Sequence, residues 1–532
     1  MAAIPVETAR VSPSGVPQAR WPAGRLVPAV LLAPSLLFLA VFFALPALTL
    51  VLYSIMTQAA DGTVGLPLTL AHYQHFFTIP VYSRVLLTTL RISLWTTAVA
   101  ALLAYPVALV MVRSPPFLRQ AITMIVIAPL IVSVVVRTYG WQLILGNGPT
   151  GILNWLLLST GLAKKPVTLL YSETAVMIGS LHVFFPMMVL PVASALGRID
   201  PRLEDAARTL GATAWRSFCR ITLPLSLPGL AVGCTLVFSL TAGSFVTPAI
   251  LGGTGAQMLG MLVDQQILVV YDWPFGATVA SVLVAIVQRR LDAHPRSPPG
   301  GAGAMTTALR SPLAWVLLPV SGLVMVFILA PLIVTVAMSI SDTPYVVFPP
   351  RGFTLGWYAK IMQDSDFQAS LWFSTTLAFG ATAGALLLGV PAAFAVARHQ
   401  FPGRGAVAAA LLSPLVFPAL ITGVALLQLF ATIRSNNTPL NMLIAHVLVT
   451  APYVVRTVTA SLTLADTTLE DAARTLGAPG AGASFAASRC RRSPPGWRLA
   501  RCLPSWCRST ISRSRCGLPT RSTTRSRSSS FS

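Results

Sequence analysis

Long apolar segments dominate this sequence and restrict what the chain can fold into. Crossing a bilayer takes about 20 mostly apolar residues in a helix, and repeated stretches of the chain reach or approach that length. The predicted spans lie near 27–56, 85–112, 120–145, 173–197, 225–251, 271–287, 313–340, 370–397, 405–433 and 440–464. Only 10% of the 532 residues are charged, against about 25% in a soluble globular protein. We therefore predict an all-α polytopic membrane protein and exclude an ordinary soluble enzyme.

The positive charge of the chain is concentrated at one end. The formal net charge is +22, and residues 479–532 alone contain 11 arginines and no acidic residue. Because this tail accounts for half of the net charge, we exclude nucleic acid as a partner and expect the lipid bilayer to surround the rest of the chain. The six cysteines show no spacing typical of a disulfide framework or a zinc site, so no metal is expected.

The distribution of arginines predicts how the chain is oriented. Three arginines precede the first span, which by the positive-inside rule places residues 1–24 in the cytoplasm. A cleaved signal peptide is the alternative, but the apolar run is too long for one and no small-residue cleavage site follows it. Alternation from a cytoplasmic start places 146–172 outside and 198–224 inside, and 198–224 is rich in arginine. We expect a multi-pass protein of the bacterial inner membrane.

An internal repeat divides the apolar part of the chain in two. The decapeptide LEDAARTLGA occurs at 203–212 and again, unchanged, at 469–478. Each copy follows a fourth predicted span, so the two copies lie on the same side and the repeat is parallel, unlike the inverted repeats of many secondary transporters. We expect a first half at 25–288 with about six spans and a second half at 313–478 with about four, joined by a Pro- and Gly-rich cytoplasmic linker at 289–312.

The first copy of the repeat predicts a helix, a sharp turn and a second short helix in the loop 200–224. Asp200 is a favoured N-cap, and Pro201 suits the first helical position. Gly211 permits the left-handed turn that ends a helix. Apolar residues recur at helical spacing and give one face, formed by Leu203, Ala206, Ala207 and Leu210. An interfacial helix that only anchors the bundle is the alternative, but identity between two otherwise different copies favours recognition of the same partner surface twice.

The loop resembles the EAA loop of the membrane subunits of ATP-binding-cassette (ABC) importers. The spacing matches, with Asp205 where that loop usually has Glu and with Glu204 just before it. The resemblance implies two parallel permease halves whose coupling loops dock on ABC ATPase subunits, and a periplasmic solute-binding protein as a further partner. It assigns to the coupling loops Glu204, Asp205, Ala206, Ala207, Gly211, Ile221, Leu223 and Pro224 and, in the partial second loop 466–478, Glu470, Asp471, Ala472, Ala473 and Gly477.

Local motifs resemble the permeases of spermidine/putrescine importers. These are VVRTYGWQLILGNGPTGILN at 135–154, LGGTGAQMLGMLVDQQ at 251–266 and FPPRGFTLGWYAKI at 348–361. The first half resembles one permease subunit, and the part after Met305 resembles its partner, as in two adjacent permeases that have been fused. Polyamines are multivalent cations, so their path is expected to offer carboxylates and aromatic faces. The candidates are Asp264, Asp272, Tyr139 and Trp141; an interfacial aromatic belt with solvated loop acids is the alternative.

The motifs that the sequence lacks also bear on function. No G-x4-G-K-[ST] phosphate-binding loop occurs, so we expect ATP to be bound and hydrolysed by a separate subunit. No catalytic motif occurs either, so the chain itself is expected to be no enzyme, with no catalytic residue and no cofactor. A secondary transporter or channel without an ATPase, or a non-functional fusion product, are the alternatives.

The arginine-rich tail 479–532 departs from the first copy of the repeat. From Arg489 on, joining the third base of each codon to the first two of the next can restore, within codon degeneracy, a Leu-Pro and a Pro-Gly in the register they have in the first copy. We therefore expect a frameshift between about 479 and 488. Such a shift would remove the end of the second coupling loop and the last two spans of the second half.

Overall fold

The computed structural model describes residues 26–291, 314–343, 348–350 and 352–464. By its internal contacts the chain divides into two units, 1–458 and 459–532, and only the end of one helix is described in the second unit. The predicted N-terminal tail, most of the linker, the second copy of the repeat and the arginine-rich tail lie outside the described residues.

The described residues are helical almost throughout. Before residue 292 the helices are α1 (Leu26–Leu39), α2 (Leu45–Tyr53), α3 (Ala71–Thr78), α4 (Pro80–Arg113), α5 (Pro116–Ile131), α6 (Val134–Ile144), α7 (Ile152–Ser159), α8 (Glu173–Leu196), α9 (Pro201–Thr209), α10 (Ala214–Ser217), α11 (Leu223–Ala242), α12 (Val246–Leu251), α13 (Leu259–Asp264) and α14 (Trp273–Leu291). After residue 313 they are α15 (Ala314–Ser339), α16 (Gly356–Gln363), α17 (Ser365–Arg398), α18 (Arg404–Val416), α19 (Ala419–Thr432) and α20 (Thr438–Leu464). Short π-helical segments occur at Ala40–Ala44, Phe218–Thr222 and Gln265–Val269, and β1 (Met56–Gln58) pairs antiparallel with β2 (Val64–Leu68).

The predicted class, an all-α polytopic membrane protein, agrees with these helices. Within the described residues, 7 helices are long and apolar enough to cross a membrane, or up to 9 if each of two bent helix pairs counts as one span. The seven are Val27–Tyr53, Pro80–Arg113, Glu173–Leu196, Ala214–Ala242, Val316–Ser339, Ser365–Arg398 and Thr438–Thr463. One of them begins at a proline, Pro80 of α4, a position where the N–H of a residue would have no partner within the helix.

Two predicted spans are not single straight helices. The segment predicted at 120–145 consists of α5 and α6, which are bent by 101° relative to each other, and the segment at 405–433 consists of α18 and α19, bent by 91°. Extended backbone at Ser133, with ψ 139°, and at Pro418, with ψ 130°, interrupts the helical hydrogen bonding. Hydropathy did not reveal these breaks because the residues on both sides of each bend are equally apolar.

The predicted fifth and sixth spans also need correction. The fifth was expected at 225–251, but α11 ends at Ala242 and a separate helix, α12, follows Gly243. The sixth, predicted at 271–287, corresponds to α14, which belongs to the shorter apolar helices of the described chain. The cause at the fifth span is the turn at Gly243, where the helix stops although the sequence stays apolar.

The same order of elements occurs on both sides of the linker. An eight-residue helix (α3, α16) precedes a 34-residue helix (α4, α17), a bent pair follows, and a long helix (α8, α20) comes after it; the short helix α7 is inserted before α8 and has no counterpart between α19 and α20. A hydroxyl contact recurs as well: Ser54 meets the phenol of Tyr73 at 2.9 Å, and Ser339 meets that of Tyr358 at 2.6 Å, each pair 19 residues apart. The parallel orientation of two halves remains a prediction.

The first helix on each side of the linker packs on the helices of the other side. Leu32 of α1 lies in a buried cluster with Ala392 and Val396 of α17. In turn, Val324 and Ile328 of α15 lie in the main core, which is built from α4, α5, α8 and α11. We refer below to residues 26–291 as the N-terminal helices and to residues 314–458 as the C-terminal helices; each group thus covers apolar surface of the other.

Candidate coupling site

The loop 200–224 has the helix–turn–helix form that the sequence predicts. Asp200 caps α9, since its Oδ1 accepts the N–H of Arg202 at 3.0 Å, and Pro201 occupies the first turn. Gly211 adopts a φ of +81° directly after the helix, a backbone conformation that L side chains rarely adopt. Thr213 then caps the short helix α10, and the π-helical segment leads into α11. The predicted cap and turn are confirmed.

Glu204 fastens this loop to the membrane helices. Its side chain is buried, and its Oε1 accepts from Nη2 of Arg113, at the end of α4, at 2.5 Å. The same oxygen accepts from Oγ1 of Thr222, just before α11, at 2.6 Å. A carboxylate that is both desolvated and paired holds its partners in a fixed geometry, because removal of either partner leaves a buried charge unsatisfied. One side chain therefore ties α9 to both α4 and α11.

A chain of aromatic contacts forms a second link from the loop into the bundle. Trp215 stacks on Phe218 with ring centroids 5.6 Å apart, and Phe218 meets Tyr105 of α4 edge-on at 5.5 Å. The hydroxyl of Tyr105 lies 2.5 Å from Oγ of Ser226 in α11. These residues were not among the predicted site residues. The spacing of Trp215 and Phe218, which puts both rings on one side of a helical turn, is the signal that could have pointed to them.

The outer face of the loop is apolar and exposed. Leu210 is 88% exposed, Trp215 is 66% exposed and Leu203 is 46% exposed, although the loop lies among charged residues. Ala206 is also exposed and Ala207 is partly buried. The ion pair of Asp205 with Arg208 at 3.4 Å lies on the surface, where such a pair contributes little to stability. The predicted apolar face thus points away from the bundle, whereas Glu204 points into it.

The other predicted coupling residues divide into a packed group and an undescribed group. Ile221 is partly buried, Leu223 packs against the main core, and Pro224 stands in the first turn of α11. The residues of the second copy lie outside the described part of the chain; they are Glu470, Asp471, Ala472, Ala473 and Gly477.

The predicted substrate residues lie in different surroundings. Asp272 caps α14, since its Oδ1 accepts the N–H of Phe275 at 3.0 Å. Trp141 is buried and packs 5.0 Å from the ring of Phe327 in α15, so it is no part of an exposed aromatic belt. Tyr139, two residues earlier on α6, is half exposed, and Asp264 is partly buried at the end of α13. A shared binding site for these four residues therefore remains a prediction.

Known proteins with similar sequences show the family of this chain. The family model described as binding-protein-dependent transport system inner membrane component matches residues 98–289. The spermidine/putrescine transport system permease protein PotB of Haemophilus influenzae is 34% identical over 251 residues, which cover 46% of this chain and 87% of that protein. PotB of Escherichia coli is 32% identical over 250 residues, covering 47% of this chain and 90% of that protein.

Among solved structures, the crystal structure of a bacterial alginate ABC transporter in complex with alginate pentasaccharide-bound periplasmic protein is similar at 19% identity and a TM-score of 0.40. The match covers 49% of this chain and 91% of that chain. The family match includes Arg113, Glu204 and the whole loop 200–224. By the family match and the identity to its relatives, this chain belongs to the inner membrane components of binding-protein-dependent transport systems, and it is a multi-span permease.

Proposed function

We propose that this permease serves an ATP-driven importer in which separate ABC ATPase subunits dock on the loop 200–224. A periplasmic solute-binding protein delivers the solute, and polyamines are the substrate class. The chain itself hydrolyses no ATP and needs no cofactor. The N-terminus and the loop 200–224 lie on the cytoplasmic side of the inner membrane.

The observation that carries this proposal is the two-sided construction of the loop. Its inner side is fixed to α4 and α11 through Glu204, and its outer side presents Leu203, Leu210 and Trp215 to the surroundings. Burying apolar surface stabilises an interface by about 25 cal/mol per Å², and tryptophan is enriched among residues that dominate binding energy. The loop therefore suits a protein partner that covers its outer face.

The same construction supports transmission of movement from the partner to the membrane helices. A displacement of α9 acts on α4 through the ion pair of Glu204 with Arg113. A displacement of Trp215 acts on α4 and α11 through Phe218 and the hydroxyl contact of Tyr105 with Ser226. Closure of the ATPase subunits would in this way reach two helices of the bundle core at once.

Variants of the outer face test the docking role. Leu210→Glu places a charge in the middle of the proposed interface, and we expect it to abolish co-purification of the ATPase subunit with the permease. The matched control is Leu162→Glu, because Leu162 is 79% exposed in the loop predicted to lie on the opposite side of the membrane. Equal retention of the ATPase by both variants would contradict the docking role.

Labelling of the linker tests the orientation. Arginines near residues 289–310 should hold the linker in the cytoplasm. We expect Ser297→Cys to react with a membrane-impermeant thiol reagent only after the membrane is opened, with prior blocking of the native cysteines. Labelling of intact spheroplasts would place the linker outside and overturn the parallel repeat.

Polyamines are proposed because two named relatives, the PotB proteins, are permeases of spermidine/putrescine systems. The motifs at 135–154 and 251–266 belong to the N-terminal helices. The first motif contains Tyr139 and Trp141, and the second contains Asp264. Uptake of ferric ion, sulfate or an opine, with none of polyamine, would leave the importer assignment standing and remove the substrate class.

The fused origin and the altered reading frame belong to the same proposal. Two adjacent permease genes joined through the segment around Met305 account for the second copy of the repeat, and a frameshift between about 479 and 488 accounts for its loss of resemblance. The tail cannot cross a bilayer, since each central arginine costs about 2.5–3.5 kcal/mol. Resequencing the DNA upstream of Met305 and after Ala478 tests both points, and an unshifted frame would contradict the second.

A further inference from the structure

Two hydrogen bonds join the N-terminal and C-terminal helices at related places. Oγ of Ser35 in α1 donates to the backbone carbonyl of Leu388 in α17 at 2.6 Å. Nε2 of His182 in α8 lies 2.9 Å from the backbone carbonyl of Ile328 in α15. Because a carbonyl can only accept, Nε2 of His182 carries the proton in this bond. Each bond thus runs from a side chain of one helix group to the main chain of the other.

Both acceptor carbonyls precede a proline in the middle of a helix by three residues. Leu388 precedes Pro391, and Ile328 precedes Pro331. Proline has no N–H to donate to the carbonyl four residues earlier, that of Phe327 or Leu387. Its ring also pushes against that turn, so the next carbonyl, that of Ile328 or Leu388, is open to a donor from outside the helix. In the apolar interior of a membrane an unpaired carbonyl is costly, and side chains of neighbouring helices commonly satisfy it.

The surroundings of His182 hold its ring in place. The side chain is fully buried, and the ring lies edge-on to Trp141 at 5.8 Å and to Phe327 at 6.0 Å. Within the described residues its Nδ1 has no partner, so the bond to Ile328 is the one hydrogen bond that the ring makes. At the same contact between the two groups of helices, α6 approaches α15 so closely that a Cβ on Gly140 would lie 2.5 Å from the carbonyl oxygen of Pro331.

The surroundings of Ser35 are also tightly packed. Ser35 is buried on α1, and the neighbouring Leu32 lies in one cluster with Ala392 and Val396 of α17. The hydroxyl therefore reaches Leu388 from a helix that packs on the part of α17 around Pro391. The two contacts between the groups of helices therefore have the same form. In each, a buried side-chain donor, Ser35 or His182, lies opposite the helical turn that precedes a proline.

We propose that His182 and Ser35 are positioning residues that latch the two groups of helices together at proline hinges. His182 fixes the turn of α15 before Pro331, and Ser35 fixes the turn of α17 before Pro391. Release of these bonds frees the hinges of both helices together, so the two bonds set the resting position from which the helices move. That the movement serves transport rests on the proposed function; the latches themselves do not.

Hydrogen–deuterium exchange on the full chain in lipid nanodiscs tests this without ATPase or substrate. His182→Leu removes the donor, and we expect amides of α15 around 327–335 to exchange roughly 2- to 12-fold faster, the factor that corresponds to one net hydrogen bond. His182→Gln keeps a donor nitrogen in nearly the same place and should restore slow exchange. Peptides from α11 serve as the internal control for global unfolding.

The hinge part of the proposal has its own test. In a Pro331→Ala background the N–H of residue 331 can donate to the carbonyl of Phe327, and no ring pushes the turn that holds Ile328 outward. The turn then closes without help from His182, so His182→Leu should no longer accelerate exchange in α15. An equal acceleration in both backgrounds, or no acceleration in either, would overturn the proposal.

The bond from Ser35 to the carbonyl of Leu388 provides an independent test if His182→Leu does not fold. Ser35→Ala should accelerate exchange in α17 around 385–392, and Ser35→Thr, which keeps the hydroxyl, should not. Equal exchange for Ser35→Ala and the unaltered chain would show that Ser35 does not hold the turn of α17 before Pro391, and would overturn this part of the proposal. Because neither measurement involves the importer partners, failure of the latch is distinguishable from failure of the proposed function.

Discussion

Arg113, the last residue of α4, and Glu204, in the first turn of α9, form an ion pair although they lie 91 positions apart in the sequence; the carboxylate is buried and the guanidinium is partly buried. This ion pair gives Glu204 a role inside the permease, where it ties α9 to the membrane helices. The resemblance to the EAA loop implied that Glu204 belongs to a loop that docks on the ATPase subunit, so Glu204→Arg would be expected to abolish transport by spoiling that fit. The structure gives a different physical reason, since Glu204 faces α4 and α11 and a second arginine there would meet Arg113.

The first prediction concerns this ion pair. Arg113→Met leaves the buried carboxylate of Glu204 without its charged partner, which typically costs about 3–5 kcal/mol. Glu204→Met leaves the partly buried guanidinium of Arg113 unpaired, at a smaller cost. The double variant removes both charges and should be closer in stability to the unaltered chain than either single variant. Thermal unfolding in nanodiscs measures the difference. A double variant at least as unstable as the sum of the two single variants would show that the pair is not coupled.

The second prediction concerns the turn at Gly211. Its φ is +81° and nothing lies within 4 Å of an added Cβ, so substitution acts through the backbone and not through a clash. Gly211→Pro cannot adopt this φ and also loses the N–H that donates to the carbonyl of Arg208 at 3.0 Å. We expect loss of ATPase association, while Gly211→Ala has a smaller effect of about 1 kcal/mol in stability.

A control for the glycine series is Gly423→Ala. This position is also open, with nothing within 4 Å of an added Cβ, but its φ lies outside the left-handed region. It should leave both insertion and ATPase association unchanged. Normal association of the Gly211→Pro variant would mean that the turn is not needed for docking.

The third prediction separates docking from transmission. Phe218→Ala removes the ring between Trp215 and Tyr105 but leaves the exposed residues Leu203 and Leu210 in place. The ATPase should still co-purify, while substrate-dependent stimulation of ATP hydrolysis should fall in a complex made with the frame-restored chain. Phe218→Tyr keeps the ring and serves as the control. Full stimulation with Phe218→Ala would exclude the aromatic chain as a route of transmission.

The fourth prediction concerns the two candidate acids of the substrate path. Asp264→Asn should weaken uptake of spermidine or putrescine by the frame-restored chain without changing its stability. Asp272→Ala should instead destabilise the protein by about 1 kcal/mol, because Asp272 caps α14. Uptake and thermal unfolding are measured on both variants. A stability loss for Asp264→Asn with unchanged uptake would reverse the two roles.

Local signals in the sequence predicted much of the fold and part of the site. The long apolar runs predicted the membrane helices, and Asp200, Pro201 and Gly211 predicted the start and end of α9. These features depend on residues a few positions apart, so the pattern of a short segment is enough to show them. Helical periodicity in the same way predicted that Leu203 and Leu210 share one face of α9, whereas the exposure of that face is a finding of the structure.

Features that depend on distant residues escaped the sequence analysis. The partner of Glu204 lies on another helix, and no local pattern shows that Arg113 faces it. The bends after Ile131 and before Ala419 lie in apolar sequence. Apolar composition predicts a helix there but does not show where the helix axis changes direction. The burial of Trp141 likewise depends on Phe327 of α15, a contact between helices on opposite sides of the linker.

Photo-crosslinking at Leu210 directly tests whether the loop 200–224 docks an ATPase subunit. A photoreactive phenylalanine analogue replaces Leu210 in the full chain, and the same analogue replaces Leu162 as the exposed control. We expect an adduct of permease and ATPase subunit from position 210 and none from position 162. Absence of the adduct at 210 under conditions where the two proteins co-purify, or equal adducts at both positions, would contradict docking by this loop.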